Sequence, residues 1–231
     1  MQIQPFATEN FFARYEFSTP HILCASDCET LTTGELLRLA DVDAADLLAQ
    51  RLAYTESQGD PALRAAIAAL YEAVSPDEVV MLGAPEEGIY LTMRALLSPG
   101  DHVVALTPAY DSLLNLAEHV SGNVSRWPVR PVAGGWALDP DELERLMQPD
   151  TRLVIVNFPH NPTGYLPAPD VFAAIVAIVR RQGAWLLCDE MYRGLERDEA
   201  DRLPSAADRY ERAIVLAGLS KTHGLPGLRA G

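Results

Sequence analysis

The chain has 231 residues, about one and a half times the ~150 residues typical of a domain, with 48% hydrophobic and 22% charged residues and a mean hydropathy of +0.02. Those values exclude a disordered, collagen-like or coiled-coil chain and leave a folded protein of one large domain plus a further piece. A formal net charge of −14 repels phosphate backbones and anionic lipid heads, so neither nucleic acid nor a membrane is expected as a partner.

The longest apolar run, Val171 to Val179, is nine residues, roughly half of a bilayer span. The start MQIQPFATENFF has no basic stretch followed by an apolar one, and a cytoplasmic location is expected. Cys24 and Cys28 are four apart with no second Cys/His pair at zinc-site spacing, and Cys188 sits in an apolar run. Reduced, mostly buried thiols and no metal are the reading.

Residues 1–50 read as an N-terminal arm, with FFARYEF extended and LLRLADVDAADLLAQ as one helix. From Pro61 onward the pattern alternates. A helix is expected over 62–74, where Gly59-Asp60-Pro61 supplies a turn, a cap and a first-turn proline. The runs 79–82, 102–106, 152–158, 184–190 and 212–218 are short, β-branched or apolar, and bounded by Pro, Gly or Asp, so each reads as a buried strand. Helices are expected at 86–97, 111–120, 140–148 and 169–182, with a weaker strand at 123–127. Alternation of this kind gives an α/β fold with a mostly parallel sheet covered by helices on both faces.

Three successive strand ends carry chemistry. NFPHNPTGY (157–165) is a proline-stiffened loop presenting Asn161, CDEMY (188–192) presents Asp189 and Tyr192, and LAGLSKTHGLPGLRAG (216–231) presents Ser220, Lys221 and Arg229. Open α/β sheets bind ligands at the carboxyl ends of their strands. An amide, a carboxylate with a phenol, and an amine with a guanidinium therefore converge on one crevice.

The order NPTG, D-x-x-Y, then S-K followed by G-L-R-x-G resembles the class I/II aminotransferases of the aspartate-aminotransferase fold, which use pyridoxal 5′-phosphate. Within that family, the FPHNP loop and the GLPGLR run are similar to members of the capreomycidine-synthase type. The match runs from about Tyr54 to Gly231. The resemblance implies that Lys221 forms the Schiff base and moves the α-proton. It implies that Asp189 pairs with the pyridinium nitrogen, that Asn161 and Tyr192 hydrogen-bond the ring's phenolic oxygen, and that Ser220 and Arg229 hold the phosphate. By the same likeness, the helix opening at Glu86 and Glu87 cradles phosphate, although Pro85 has no N–H to give. Tyr110 stacks on the ring, and Tyr54 reaches a neighbouring subunit's phosphate in a homodimer.

The implied activity is transfer of an amino group between an amino acid and a keto acid. A lyase or cyclase of the capreomycidine-synthase type and a non-catalytic fragment are the alternatives. Residues 51–231 are expected to be an incomplete cofactor-binding large domain, and 1–50 the arm or part of a small domain. In the family a further strand and a C-terminal small domain follow this point, and this chain reaches only Gly231. His160 and His223 flank the crevice and are as well suited to structural hydrogen bonding as to proton transfer. The acidic stretches 139–144 and 196–202 read as solvated faces.

Overall fold

The computed structural model describes residues 3–231. Its strands are β1 (His102–Thr107), β2 (Val124–Pro128), β3 (Arg130–Val132), β4 (Gly135–Ala137), β5 (Thr151–Asn157), β6 (Trp185–Asp189) and β7 (Ala213–Leu216). Five form one sheet in the order β2-β1-β5-β6-β7, every neighbouring pair parallel, while β3 and β4 make a separate antiparallel hairpin. The chain runs outward from β1 to β2, then crosses back to β5 on the other side of β1. This reversal puts a crevice at the carboxyl ends of β1 and β5.

The helices are α1 (Ala7–Tyr15), α2 (Thr33–Leu39), α3 (Ala44–Ala49), α4 (Pro61–Ala68), α5 (Pro85–Leu96), α6 (Asp111–Val120), α7 (Pro140–Leu146) and α8 (Pro169–Gln182). Two cores form because the strands are apolar on both faces. Val154, Val156, Leu186 and Cys188 pack with Trp127, Leu143, Phe172 and Ile175 on one side of the sheet. Leu153, Ile155 and Leu187 pack with Ile89, Met93, Leu113 and Leu116 on the other. The mostly parallel, two-faced α/β architecture is the one its sequence pattern dictates. Helix α8 ends where Gly183 takes a left-handed φ of 68°, a conformation glycine adopts without steric cost.

Several local expectations are corrected. The 79–82 run is extended but joins no sheet: Met81 N–H donates to Gln58 C=O at 2.8 Å, and Leu82 exchanges backbone bonds with Gly231. The helix expected over 62–74 stops at Ala68, because the Glu72 and Ala73 amides turn aside to the Asp208 carboxylate at 2.8 and 2.9 Å. The single helix over LLRLADVDAADLLAQ is two, α2 and α3. Asp41 between them has a left-handed φ of 53°, and Asp43 caps the second. FFARYEF is not extended; it forms most of α1, which docks on α6 through Thr8 N–H to Asp111 Oδ2 at 2.7 Å. The hairpin of β3 and β4 was not expected. Of the cysteines only Cys188 is buried, with Cys24 exposed and Cys28 half-buried, since the arm carrying the latter two lies over the surface. Among the described residues no helix is long and apolar enough to cross a membrane.

Candidate cofactor site

Strands β5, β6 and β7 lie side by side, and register places Asn157 beside Asp189 and Asp189 beside Leu216. Buried Asn157 organises the loop after β5. Its Nδ2 donates to the Asp189 carbonyl at 2.8 Å and its Oδ1 accepts the Asn161 N–H at 2.7 Å. Asn161 is thereby aimed across the crevice, where its Nδ2 donates to the Tyr192 phenol at 3.2 Å. Nearby, buried His160 bridges the loops after β1 and β5: Nε2 lies 2.8 Å from the Pro108 carbonyl and Nδ1 2.6 Å from the Thr163 hydroxyl. A carbonyl only accepts, so Nε2 carries the proton and Nδ1 accepts. Burial lowers the His160 pKa, so the ring acts as a neutral structural bridge.

Asp189 is buried, and its Oδ1 accepts the Met191 N–H at 3.0 Å. Burial pushes its pKa up to about 6; the nearby Glu86 charge adds to the rise and the Met191 N–H opposes it. Tyr192, three residues on, is half-buried, and its oxygen lies 2.8 Å from the Ser26 hydroxyl. Burial raises the Tyr192 pKa, the Ser26 bond and the Lys221 charge lower it, and the Asp189 charge raises it. Lys221 and Asp189 therefore both act on this phenol.

Lys221 follows β7 in the loop toward Gly224. Its Nζ donates to Asp27 Oδ1 at 2.6 Å, with the lysine side chain 21% exposed. It is also the only lysine in the chain; the remaining 17 of the 18 basic residues are arginine (18 − 1). A guanidinium cannot do an amine's chemistry, so that composition is itself a signal pointing at position 221. Ser220 is half-buried on the same loop. Arg229 is exposed, at a left-handed φ of 50°, and its Nη1 donates to the Pro226 carbonyl at 2.9 Å. The loop folds the arginine back onto its own backbone.

The opposite wall is more acidic than the sequence suggested. Tyr110 precedes α6 and donates its phenol to Glu9 of α1, and its pKa is raised by burial and by that carboxylate. Glu86 is half-buried in the first turn of α5; burial raises its pKa and Glu9 adds to the rise. Glu87 bends back so that its Oε2 accepts the Gly83 N–H at 3.0 Å, and its own N–H donates to Ala84. Tyr54 stands apart from all of these, wholly exposed.

Two contributors carried no motif: Ser26 and Asp27, both from the arm. Buried Glu190 accepts from Ser205 Oγ and the Ala206 N–H, and burial pushes its pKa up to about 7. Glu196 is not on a solvated face. Its side chain is 1% exposed, accepting the Gly194 N–H and pairing with Arg202 at 3.2 Å.

The donor set fits pyridoxal 5′-phosphate at its ring and aldehyde ends. Asp189 is a buried carboxylate with a single N–H on it, which leaves acceptor capacity for a protonated ring nitrogen. Asn161 and Tyr192 present an amide and a phenol for a ring oxygen, and Lys221 presents a primary amine.

Comparison with known proteins agrees with this arrangement. The profile of the family "Aminotransferase class I and II" matches residues 23–231. Capreomycidine synthase of Streptomyces vinaceus is 36% identical over 226 residues, covering 96% of this chain and 57% of the relative. Among solved structures, a PLP-dependent aminotransferase from Streptococcus suis superposes with a TM-score of 0.92 at 29% identity, covering 100% of this chain and 62% of that one. The PLP-dependent cyclase OrfR gives a TM-score of 0.88 at 33% identity, with 100% and 60% covered. The chain thus spans about three fifths of the length of these relatives. With its sheet order, its strand-end residues and a profile match over nearly its whole length in accord, the chain belongs to the class I and II aminotransferase family.

Proposed function

We propose that this chain is the cofactor-binding part of an enzyme that uses pyridoxal 5′-phosphate, held through Lys221, to exchange amino groups between amino acids and keto acids. The observation that carries the reading is the convergence of Lys221, Asp189 and the Asn161–Tyr192 pair at the ends of three adjacent parallel strands. When bound, the cofactor supplies an aldehyde for amines and a ring that draws electron density from the substrate's α-carbon. The residues do the rest. Asp189 accepts from the ring nitrogen and holds its proton in place. Asn161 and Tyr192 donate to the ring oxygen and orient it. The Lys221 amine takes and returns the proton at the substrate α-carbon. Ser220 and Arg229 serve the phosphate, Arg229 after leaving the Pro226 carbonyl, with Glu86 and Glu87 at the α5 end and Tyr110 beside the ring.

Residues 51–231 form the cofactor-binding part, and the arm of residues 1–50 closes over it, a division supported by the Ser26–Tyr192 and Asp27–Lys221 contacts. Wholly exposed Tyr54 is left for a neighbouring subunit in a homodimer.

Borohydride reduction of the cofactor-loaded protein tests the reading with little ambiguity, because Lys221 is the only lysine. A phosphopyridoxyl group on the Lys221 peptide is expected, and label confined to the amino terminus would overturn it. A second reading, ring closure or elimination from the substrate side chain, is favoured by the 36% identity to capreomycidine synthase over 96% of this chain. Stoichiometric keto-acid formation separates transamination from that chemistry, and loading without turnover marks a non-catalytic chain.

A further inference from the structure

The loop that carries Lys221 is fastened to the turn that carries Tyr192 by one side chain. Thr222 Oγ1 lies 2.8 Å from the Arg193 carbonyl and 3.2 Å from the Met191 carbonyl, the two that flank Tyr192. A hydroxyl has a single proton to donate, so the two carbonyls share it. The Thr222 methyl is held as closely. A Cβ on Gly194, whose φ is 96°, would fall 2.9 Å from Thr222 Cγ2, so this methyl has room only because position 194 is glycine. With both branches at Cβ engaged, one χ1 rotamer remains, and the backbone leading directly out of Lys221 is fixed with it.

The two segments joined in this way are each braced. On the Tyr192 side, Met191 N–H donates to Asp189 Oδ1 at 3.0 Å, and Arg193 N–H donates to the Glu190 carbonyl at 2.9 Å. On the Lys221 side, Gly224 N–H donates to the Lys221 carbonyl at 3.0 Å, and Leu225 N–H to the Leu219 carbonyl at 2.9 Å. Among the described residues, every hydrogen bond between 189–195 and 219–225 is made by Thr222. Burial raises the pKa of the Tyr192 phenol and the Lys221 charge lowers it, so the two side chains feel one another across this joint. A lysine has a flexible four-carbon stem, and where its nitrogen rests depends on where its backbone is anchored. Misplacing a reacting group by about 1 Å costs up to about a hundredfold in rate.

We infer that Thr222 is a positioning residue: by binding the carbonyls on both sides of Tyr192, it sets where the Lys221 amine stands relative to the phenol and to a substrate's α-carbon. This rests on the role given to Lys221 above.

The cofactor-free chain supplies a test independent of turnover. Lys221 is the only lysine, so biosynthetic labelling with 13C-lysine gives one side-chain NMR signal. Tyr192→Phe is expected to move that signal in the wild type and to move it less than about half as far in a Thr222→Val background, with Thr222→Ser restoring the full response. Thr222→Ala serves in place of Thr222→Val should the valine variant not fold. A signal that Tyr192→Phe leaves unmoved, or moves equally in both backgrounds, would overturn the assignment. In the loaded protein, Thr222→Val is expected to lower kcat roughly tenfold or more with KM within about twofold of wild type, and Thr222→Ser to recover most of the loss. An unchanged kcat would overturn the assignment equally. Absence of borohydride label on Lys221 would sink the cofactor reading by itself, while the NMR comparison still decides whether Thr222 places the amine.

Discussion

Asp189 and Glu190 are consecutive in sequence, both buried, and face opposite sides of the sheet. Asp189 turns toward the crevice. Glu190 turns with Cys188 into the core beneath α8 and closes on Ser205 and Ala206. Burial raises the pKa of the first to about 6 and of the second to about 7. Between about pH 4 and 7 the folded chain therefore holds protons that the unfolded chain has released, so stability falls as pH rises through that window. Each group is worth on the order of 3 kcal/mol at full ionisation. Asp189→Asn is expected to raise the melting temperature of the cofactor-free protein at pH 8 and to flatten its decline between about pH 4 and 6, while abolishing productive cofactor binding. Thermal melts across that range check the sign; an equal decline in the variant would contradict it.

The Asn161 amide and the Tyr192 phenol share one position, and the amide already donates to the phenol oxygen. Tyr192→Phe leaves Asn161 as the remaining donor to a ring oxygen. A hydrogen bond to a charged group is worth about 1.5–3 kcal/mol, so a loss of roughly ten- to hundredfold in kcat/KM is expected. The pH at which the bound cofactor changes its visible absorption is expected to rise, which spectrophotometric titration reads directly.

His160 is the histidine most easily mistaken for a proton carrier. Its two nitrogens are already spent on the Pro108 carbonyl and the Thr163 hydroxyl. His160→Ala is expected to cost about 1–3 kcal/mol in denaturant unfolding and to lower activity without removing a limb from the pH–rate profile. Loss of a limb at unchanged stability would give His160 a catalytic role.

Gly59 has a φ of 110°, and a Cβ added there would lie 2.4 Å from Met81 Cγ. Gly59→Ala thus strains the turn and pushes on the extended segment whose Met81 N–H reaches Gln58. A loss of about 1–3 kcal/mol in chemical denaturation is expected, larger than that for Gly100→Ala, where φ is 93° and the backbone strain is shared but nothing lies within 4 Å of an added Cβ.

By itself the sequence determined the alternating α/β order, the strands buried on both faces and the three strand-end motifs, because hydrophobic periodicity and Pro/Gly punctuation are local properties. Its single lysine was equally open to reading in the composition. Only the tertiary structure decided that Asp27 and Ser26, from a motif-free arm nearly 200 residues from Lys221, seat on the reacting side chains. It likewise decided that 79–82 joins no sheet, and that the side chains of Glu190 and Glu196 are buried. These outcomes turn on which distant groups share a low-dielectric space, and chain spacing carries no information about that.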